Sequence, residues 1–351
     1  MTRPKSGLIR VGIVGTGSMA NAHANAFRAM RGVELTACLD IVPERAAQFA
    51  ARHGVRHAVS CLDQLLEEVD AVSVVTPDRF HAEISLKVLG AGKHLLCEKP
   101  LSVTLAEAKD VAAAARAASA RGVIHVINLT YRRSAALERA GRLVSEGKLG
   151  RLRHVHSFYL QTWLSAPVWG HWTEDTWLWR LQAAAGSGGV LADIGCHILD
   201  ITTAVAGDAR RIRCDLRTFP KITRDGKAVT RWKGRALDAN DTAVIELEFP
   251  GGAVAVIQTT RWATGHKNHV RLEAHGTKGA VMLDLDRSFE DLEACLGKDV
   301  SSAAWRTLTC RPALSLYERF IHSIHTGVNA QPDVIRGAQV QALLDACERS
   351  A

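Results

Sequence analysis

The stretch that decides the fold is IRVGIVGTGSMA, residues 9–20. Its first half, residues 9–14, is rich in β-branched side chains and predicts a short buried strand. Its second half has the spacing G-x-G-x-x-A and leads into an Ala-rich segment that predicts a helix through Met30. Glycines with this spacing, placed between a strand and a helix, are typical of a loop that binds a dinucleotide.

The residues of this loop have separate physical roles. Gly15 permits the tight turn, Gly17 lets the backbone approach a pyrophosphate, and Ala20 allows the helix to pack closely on the strand. Ser18 and Met19 begin the helix, so their amides would face the negative charge of the ligand.

The second predicted strand, Val33–Leu39, is followed by an acidic residue, Asp40, which lies twenty residues after Ala20. An acid at this place accepts hydrogen bonds from the adenosine ribose and repels a 2′-phosphate. Since no arginine follows Asp40 directly, the sequence favours NAD over NADP. The alternative is that Asp40 is a turn or helix-capping residue before residues 43–45.

Strand-like and helix-like runs continue to alternate through the first half. They lie at residues 71–75, 80–91, 92–97, 104–121 and 123–127. This alternation predicts a doubly wound parallel sheet, in which ligands bind at the carboxyl ends of the strands. The polar residues at those ends are candidates for cofactor binding: Thr76, Glu98, Lys99 and Asn128.

The pattern changes after about residue 150, where polar and apolar residues alternate along short runs. These runs lie at residues 152–158, 241–249, 253–259, 269–275 and 280–285. They predict a large, mostly antiparallel sheet, closed by a helix over about 333–349. We therefore expect an α/β protein with a dinucleotide-binding domain at residues 1–128 and a second α/β domain at residues 129–351.

Residues 188–200, GGVLADIGCHILD, predict a helix that carries a carboxylate and an imidazole. Asp193 and His197 are four residues apart and therefore project from one face. An imidazole titrates near neutrality and a carboxylate can fix its orientation, which suits the two for acid–base chemistry. The alternative is a structural role for His197 in the core. A zinc site with Cys196 is a rival interpretation, but further ligands are not evident in the sequence, so we expect no metal.

Five tryptophans fall between residues 163 and 179. Two interpretations apply to them. They anchor irregular structure, or they form a wall against the apolar face of a sugar, with their indole N–H groups toward its hydroxyls. Both can hold for different members of the group.

Length and charge exclude some classes of protein. The chain has 351 residues and a formal net charge of +8, and its length favours two domains. Ten Lys or Arg fall between residues 210 and 235, where they predict a solvated sheet face. No nucleic-acid-binding signature accompanies them, so we expect no nucleic-acid partner, while an anionic substrate stays open.

The sequence also predicts a compartment. No apolar window approaches the roughly 18 residues of a membrane span. Residues 1–7 run into the first strand without the apolar region of a signal peptide. The eight cysteines include no C-x-x-C pair, which favours reduced thiols. We expect a cytoplasmic protein with no membrane partner.

Nearly the whole chain resembles the glucose–fructose oxidoreductase, inositol 2-dehydrogenase and rhizopine-catabolism family, Gfo/Idh/MocA. Five segments in the family's order carry the resemblance: residues 11–20, Thr76-Pro77 followed by His81, residues 91–94 leading to 98–100, residues 131–133 and residues 188–200. The resemblance implies a Rossmann domain followed by an α/β domain, whose open sheet often mediates homodimers or homotetramers.

The resemblance also implies site residues. Lys99 matches the family's catalytic lysine, commonly followed by a cis bond to Pro100, and Asp193 and His197 match its catalytic aspartate and histidine. Pro77 and His81 join the cofactor-binding candidates. Weaker candidates for holding the substrate, beside the three catalytic residues, are Tyr131, Arg132, Trp163 and Arg180.

The implied activity is NAD(P)-dependent hydride transfer to or from a secondary alcohol of a sugar, sugar derivative or inositol. In this hypothesis His197 moves the hydroxyl proton, Asp193 orients the substrate or the imidazole, and Lys99 stabilises the developing alkoxide. Two alternatives stay open: an NAD-dependent glycosidase that oxidises its sugar transiently, and a non-catalytic NAD-binding sensor.

Overall fold

The computed structural model describes residues 7–351 and divides into two compact units. The first unit contains the chain up to Thr130 together with Leu314–Gln341, and the second contains Tyr131–Ala313 together with Ala342–Ala351. Residues 1–6, on which the expectation of no signal peptide partly falls, lie outside the described residues. The sequence-based division assigned residues 314–341 to the second domain, whereas they pack with the first unit.

A parallel sheet forms the centre of the first unit. Its strands are β1 (Ile9–Val14), β2 (Val33–Leu39), β3 (His57–Ala58), β4 (Ala71–Val74), β5 (His94–Cys97) and β6 (His125–Ile127). The connecting helices are α1 (Ser18–Arg28), α2 (Pro43–His53), α3 (Leu62–Glu68), α4 (His81–Gly90) and α5 (Leu105–Ser119). The strand order β3-β2-β1-β4-β5-β6 is that of a Rossmann fold, whose direction of winding reverses between β1 and β4.

The local sequence explains these elements. All four residues of β4 are buried, as expected of a central parallel strand. Helix α1 buries Ala20, Ala24 and Phe27, which are spaced three or four residues apart and therefore share one face. Helix α5 begins at a capping box, in which the side chains of Thr104 and Glu107 each accept a hydrogen bond from the other's backbone N–H.

A larger sheet forms the second unit. In chain order its helices are α6 (Ala135–Ser145), α7 (Asp175–Leu178) and α8 (Cys196–Ala206). The long strands are β7 (Leu152–Leu160), β8 (Arg211–Arg217), β13 (Thr242–Glu248), β14 (Val254–Thr260), β15 (His269–Gly276), β16 (Gly279–Asp284), β17 (Asp291–Leu296) and β18 (Arg306–Thr309). The short strands are β9 (Lys221–Ile222), β10 (Ala228–Val229), β11 (Arg231–Trp232) and β12 (Arg235–Ala236), which form two small hairpins.

The eight long strands follow the order β18-β17-β16-β15-β7-β14-β13-β8. All neighbouring pairs are antiparallel except β7 and β14, which run parallel. Helices α6 and α8 pack on this sheet. The predicted fold class, a Rossmann sheet followed by a large and mostly antiparallel sheet, is confirmed.

Alternation along β13 separates the two faces of the large sheet. Ala243, Ile245 and Leu247 are buried, whereas Val244 is 40% exposed. On the neighbouring strand β14, Val254 is 45% exposed. The face that carries these two valines is therefore open to solvent within the chain.

Two helices close the chain. The helix α9 (Leu316–Thr326) belongs to the first unit, where Phe320 and Ile321 join the apolar cluster formed by residues of β1 and α1. The last helix, α10 (Val334–Ser350), follows it. The sequence prediction included α10 but not α9.

The basic segment 210–235 forms the edge strand β8 and the two small hairpins. Arg211, Arg213 and Arg217 of β8 are exposed, so the charge lies mainly in solvent. Lys221 is the exception, because its side chain is fully buried.

None of the helices in residues 7–351 is both long and apolar enough to cross a membrane. All eight cysteines have free thiols.

Candidate functional site

The glycine loop between β1 and α1 leaves its backbone accessible. Gly15 has a φ of +91°, and a Cβ there would lie 2.6 Å from the carbonyl oxygen of Val75. Only glycine therefore fits this turn. A Cβ on Gly17 would meet no heavy atom within 4 Å, and the next two residues, Ser18 and Met19, are exposed.

The start of α1 has no group that would compete with an anion. Its first turn contains no acidic residue, and no side chain caps it at Gly17. The hydroxyl of Thr76, whose backbone lies against Gly15, is buried without a hydrogen-bond partner in the described structure. Helix amides and an unsatisfied hydroxyl are groups that a pyrophosphate would satisfy, so the loop fits a dinucleotide.

Asp40 lies at the end of β2 and is held by three donors. Its Oδ2 accepts hydrogen bonds from the Thr16 backbone N–H, at 2.9 Å, and from the Thr16 hydroxyl, at 2.8 Å. Its Oδ1 accepts from the Val42 N–H at 2.9 Å. Burial alone would raise the pKa of Asp40, but the hydrogen bonds from Val42 and Thr16 lower it below its ordinary value. The carboxylate is therefore ionised and fixed in direction.

At the end of β4, Thr76 and Pro77 are followed by a buried imidazole. His81 is 1% exposed, with Nδ1 2.7 Å from the Pro100 carbonyl oxygen and Nε2 2.8 Å from that of Thr76. The Lys99–Pro100 peptide bond is cis. His81 thus contacts both the loop after β4 and the loop after β5. Pro77, in the first of these loops, is exposed.

A buried polar network lies under the ends of the central strands. The carboxylate of Glu98, directly after β5, accepts hydrogen bonds from His23 Nε2 at 2.9 Å, from Asn128 Nδ2 at 2.5 Å and from the Lys99 backbone N–H at 3.2 Å. The other imidazole nitrogen, Nδ1, lies 2.8 Å from the Ser73 hydroxyl. Burial would raise the pKa of Glu98, but the His23 bond and the other partners lower it to about 2.

Three members of this network were not identified from the sequence: His23, Ser73 and Tyr317. Asn128 Nδ2 lies 3.3 Å from the Tyr317 hydroxyl, and the Tyr317 ring packs edge-on against His23 at 4.8 Å between centroids. For Ser73 the available signal was a serine within the otherwise apolar, buried strand β4. Nothing local marks Tyr317, which is far away in the sequence.

In the second unit, the predicted acid–base helix begins with a π-turn. Residues Leu191–Gly195 form this turn, and α8 continues it from Cys196. Asp193 lies in the π-turn and His197 in the first turn of α8, so the two are on one helix but the turn that carries Asp193 is wider than in an α-helix. Insertions of this kind occur frequently at functional sites.

Asn240 sets the entry into this helix. Its Oδ1 accepts from the Leu191 N–H at 3.0 Å, and its backbone carbonyl accepts from the Val190 N–H at 2.8 Å. Gly189 has a φ of +66°, and a Cβ there would lie 2.5 Å from the Asn240 side chain. Gly189 therefore makes room for the Asn240 side chain.

Two arginines hold Asp193. Arg180 Nη1 lies 3.0 Å and Arg261 Nη2 2.9 Å from the same oxygen, Asp193 Oδ2. The side chain of Arg180 is 30% exposed, whereas that of Arg261 is 1% exposed. Arg180 was a substrate-binding candidate. Arg261 was not identified, because the sequence places it 68 residues away from Asp193 without a motif.

Aromatic rings surround His197, which is 6% exposed. The Tyr131 ring meets its imidazole edge-on at 5.2 Å between centroids, and the Tyr159 ring lies at 6.3 Å. Tyr131 donates to the Tyr159 hydroxyl at 3.0 Å, and Tyr159 donates to Asn268 Oδ1 at 2.9 Å. Burial raises the pKa of Tyr159 well above its ordinary value, so the Tyr159 hydroxyl is neutral. Neither Tyr159 nor Asn268 was identified from the sequence.

The remaining substrate candidates are held by the protein. Arg132 Nε donates to Asp200 Oδ2 at 2.8 Å, and Asp200 is 1% exposed. Trp163 is 5% exposed and belongs to an apolar cluster with other tryptophans, among them Trp172, whose indole donates to the Ile222 carbonyl oxygen. The packing of Trp172 agrees with the first interpretation, in which the tryptophans anchor irregular structure. The indole N–H of Trp163 is buried without a hydrogen-bond partner in the described residues, and the role of Trp163 stays a prediction.

Within residues 7–351, no group of three or more His, Cys, Asp or Glu side chains has an arrangement that could hold a metal ion.

Comparison with known proteins links the two units to one family. Residues 9–126 match the model of an oxidoreductase family with an NAD-binding Rossmann fold, and residues 137–282 match the GFO/IDH/MocA C-terminal domain.

Individual relatives cover most of the chain. Levoglucosan dehydrogenase of Pseudarthrobacter phenanthrenivorans is 29% identical over 87% of this chain and 81% of its own length. 1,5-Anhydro-D-fructose reductase of Ensifer adhaerens is 31% identical over 78% and 75%. A solved structure of levoglucosan dehydrogenase in complex with NADH and levoglucosan aligns with a TM-score of 0.84 at 26% identity, covering 98% of this chain and 96% of that chain. The resemblance seen in the sequence is thereby confirmed: this chain belongs to the GFO/IDH/MocA family of NAD-binding oxidoreductases.

Proposed function

We propose that this enzyme oxidises or reduces a secondary alcohol of a sugar or cyclic polyol. The observation that carries the proposal is the clamped carboxylate of Asp193 on the same helix as His197, in a chain of the NAD-binding oxidoreductase family. Two of its relatives are named for levoglucosan and 1,5-anhydro-D-fructose. Both names denote anhydro sugars, which favours a sugar-like substrate here.

Three residues are proposed to do the chemistry. The nicotinamide, when bound, accepts or gives the hydride. His197 accepts the proton of the substrate hydroxyl during oxidation and returns it during reduction. Asp193 orients the substrate or the imidazole. Lys99 donates a hydrogen bond to the hydroxyl oxygen and stabilises its developing negative charge, an effect worth roughly 3 kcal/mol.

The remaining candidates divide into residues that we propose touch the ligands and residues that we propose support those contacts. For the cofactor, we propose direct contact by Gly15, Gly17, Ser18, Met19, Asp40, Thr76 and Pro77. Ala20, His81, Glu98 and Asn128 are buried, and we propose that they hold those contacts in place. For the substrate, Tyr131 and Arg180 are proposed to hold other hydroxyls, and Arg132 and Trp163 to support them from behind.

The test is a substrate panel followed by the absorbance of reduced nicotinamide. Anhydro sugars, inositols, aldoses and sugar phosphates form the panel. Net formation of NADH with one of them supports the proposal, whereas cleavage of a glycoside without net NADH would replace it with a glycosidase.

Variants then test the catalytic residues. Lys99→Ala and His197→Ala should each lower turnover roughly a hundredfold while NADH still binds. Matched controls are Lys87→Ala and His57→Ala, which change exposed residues of the first unit. Turnover that is unchanged in Lys99→Ala or His197→Ala removes that residue from the mechanism.

We also propose that copies of the chain associate through the open face of the large sheet. The support is its exposed apolar residues, Val244 and Val254, on adjacent antiparallel strands.

The eight free thiols favour a reducing compartment, and we propose the cytoplasm.

A further inference from the structure

Five charged side chains of alternating sign run through the second unit: Lys221, Asp241, Arg261, Asp193 and Arg180. Lys221 and Asp241 are both fully buried, with Nζ 2.6 Å from Oδ2. Arg261, 1% exposed, bonds to Asp193, which is 25% exposed. Arg180 bonds to Asp193 from the more exposed side. The row therefore leads from the core to the carboxylate on the acid–base helix.

Arg261 is the central member of this row. It directly follows β14, where its backbone N–H donates to the Asp241 carbonyl oxygen at 3.0 Å. Its Nη1 lies 3.2 Å from the Arg180 carbonyl oxygen and its Nη2 3.3 Å from that of Gly189. Its guanidinium also faces the Trp163 ring, with Cζ 5.2 Å from the ring centroid. One side chain thus joins the strand, the turn that carries Arg180 and the entry to the π-turn.

Burial of the charged Arg261 guanidinium costs free energy of folding. Burial lowers the pKa of Arg261, and the charge of Asp193 opposes that effect. The Nε of Arg261 has no hydrogen-bond partner in the described residues. Since a buried ion pair contributes little net stability compared with well-packed apolar side chains, a stabilising role does not account for this arrangement.

We propose that Arg261 is a positioning residue, which holds the Asp193 carboxylate in place for the reaction. The buried Lys221–Asp241 pair supports the strand end from which Arg261 extends. The proposal rests on the proposed function, because it assumes that Asp193 acts on the substrate or on His197.

The charge of Arg261 should affect how the activity depends on pH. The charged and titratable groups that face Asp193 include Arg180 from the turn before it, Arg261 from the end of β14 and Tyr159 from β7. A nearby cation favours the ionised form of a carboxylate and the neutral form of an imidazole. Removing Arg261 should therefore move the acidic limb of the activity profile to higher pH.

The experiment measures kcat and kcat/KM against pH for the full chain with NAD and an active member of the panel. Arg261→Met should lower kcat about tenfold or more and move the acidic limb up by about one pH unit. NADH binding, followed by fluorescence, should be unchanged. Arg261→Lys keeps the charge and should restore most of the limb position, but only part of kcat.

A matched control is Arg10→Met, which removes an arginine–aspartate pair of the first unit, Arg10 Nη2 to Asp70 Oδ1 at 2.8 Å. It should lower the melting temperature without moving the pH profile. An acidic limb that stays in place in Arg261→Met, with only a lower melting temperature, overturns the proposal.

If Arg261→Met does not fold, Arg261→Gln decides. It removes the charge from the same position but keeps a polar side chain, and a shift of the limb in the same direction supports the proposal, whereas no shift overturns it. Failure of the proposed function has a different signature: the unmodified enzyme itself forms no NADH with any panel member, and both proposals then fall.

Discussion

Among the individual residues, Asp40 is the one that we propose selects the dinucleotide. Asp40 is held by two donors from Thr16 and one from Val42, so its charge cannot turn away from a ligand beside it. In our proposal this fixed negative charge accepts hydrogen bonds from the ribose hydroxyls and repels a 2′-phosphate.

We expect Asp40→Ala to lower the ratio of kcat/KM for NAD to that for NADP about tenfold or more, since it removes a charge–charge repulsion of at least 1.4 kcal/mol. Steady-state kinetics with each cofactor measure the ratio. Asp63→Ala, an exposed aspartate on α3 of the same unit, is the control and should leave the ratio unchanged. An unchanged ratio in Asp40→Ala would show that another group makes the selection.

The residue scale also shows which parts of the site the sequence could predict. Asp40 and Gly15 were predictable because their roles depend on spacing within one strand–turn–helix unit. Arg261 and Asn240 were not predictable. Each contacts the π-turn before α8, and each lies about 50 residues or more away from its partner along the chain. No local pattern records such a contact.

At the scale of the element, the polar network connects three strands and a helix. Ser73 belongs to β4, Glu98 and Asn128 directly follow β5 and β6, and His23 lies on α1. Glu98 has the central place, because three donors converge on its carboxylate. Its ionisation should therefore stabilise the carboxyl ends of these strands.

The pH dependence follows from the lowered pKa of Glu98, about 2 in the folded chain against an ordinary 4.5. The stabilisation is fully present above about pH 4.5 and is lost as the pH falls from there toward 2, and its size is on the order of 3 kcal/mol. We expect Glu98→Gln to melt at a lower temperature at pH 7, with a difference from the unmodified chain that shrinks below pH 4.5.

Thermal unfolding between pH 7 and pH 3.5 measures this difference. Glu83→Gln, which alters an exposed carboxylate on α4, is the control and should melt like the unmodified chain throughout. A melting difference for Glu98→Gln that is the same at pH 3.5 as at pH 7 would contradict the assigned ionisation.

Elements differed in how well the sequence predicted them. Most strands of both sheets were predictable from runs or alternation of apolar residues, and α5 from its helical pattern, whereas β3, β8, β17 and β18 were not predicted as strands. The π-turn at Leu191–Gly195 was not predictable, since its first amide bonds to Asn240, which lies far away along the chain. The small hairpins between residues 221 and 236 were not either, because each strand has two residues and no periodicity.

At the scale of the whole molecule, the open face of the large sheet presents apolar side chains to solvent. Val244 and Val254 lie opposite the face that α6 and α8 cover. An uncovered sheet face of this kind suits association with a second copy.

We expect the unmodified chain to scatter light as an oligomer. The double variant Val244→Lys, Val254→Lys should lower the measured mass toward that of one chain, because each copy would then bury two unpaired lysine charges in the interface. Size-exclusion chromatography with light scattering measures the mass. Val328→Lys, at a valine of the first unit that is 68% exposed, should leave it unchanged. A single-chain mass for the unmodified protein would refute association through any face.

The discontinuity of the first unit has a consequence for biosynthesis. Tyr317 packs on His23, and Phe320 and Ile321 fill the same core as Phe27. When only residues 1–130 have been synthesised, the nucleotide-binding unit is therefore incomplete, because the part of its core that lies in residues 314–341 has not been translated. This unit therefore cannot complete its core until residues 314–341 have been translated, and chains that terminate earlier should be recognised by proteases and chaperones as unfolded.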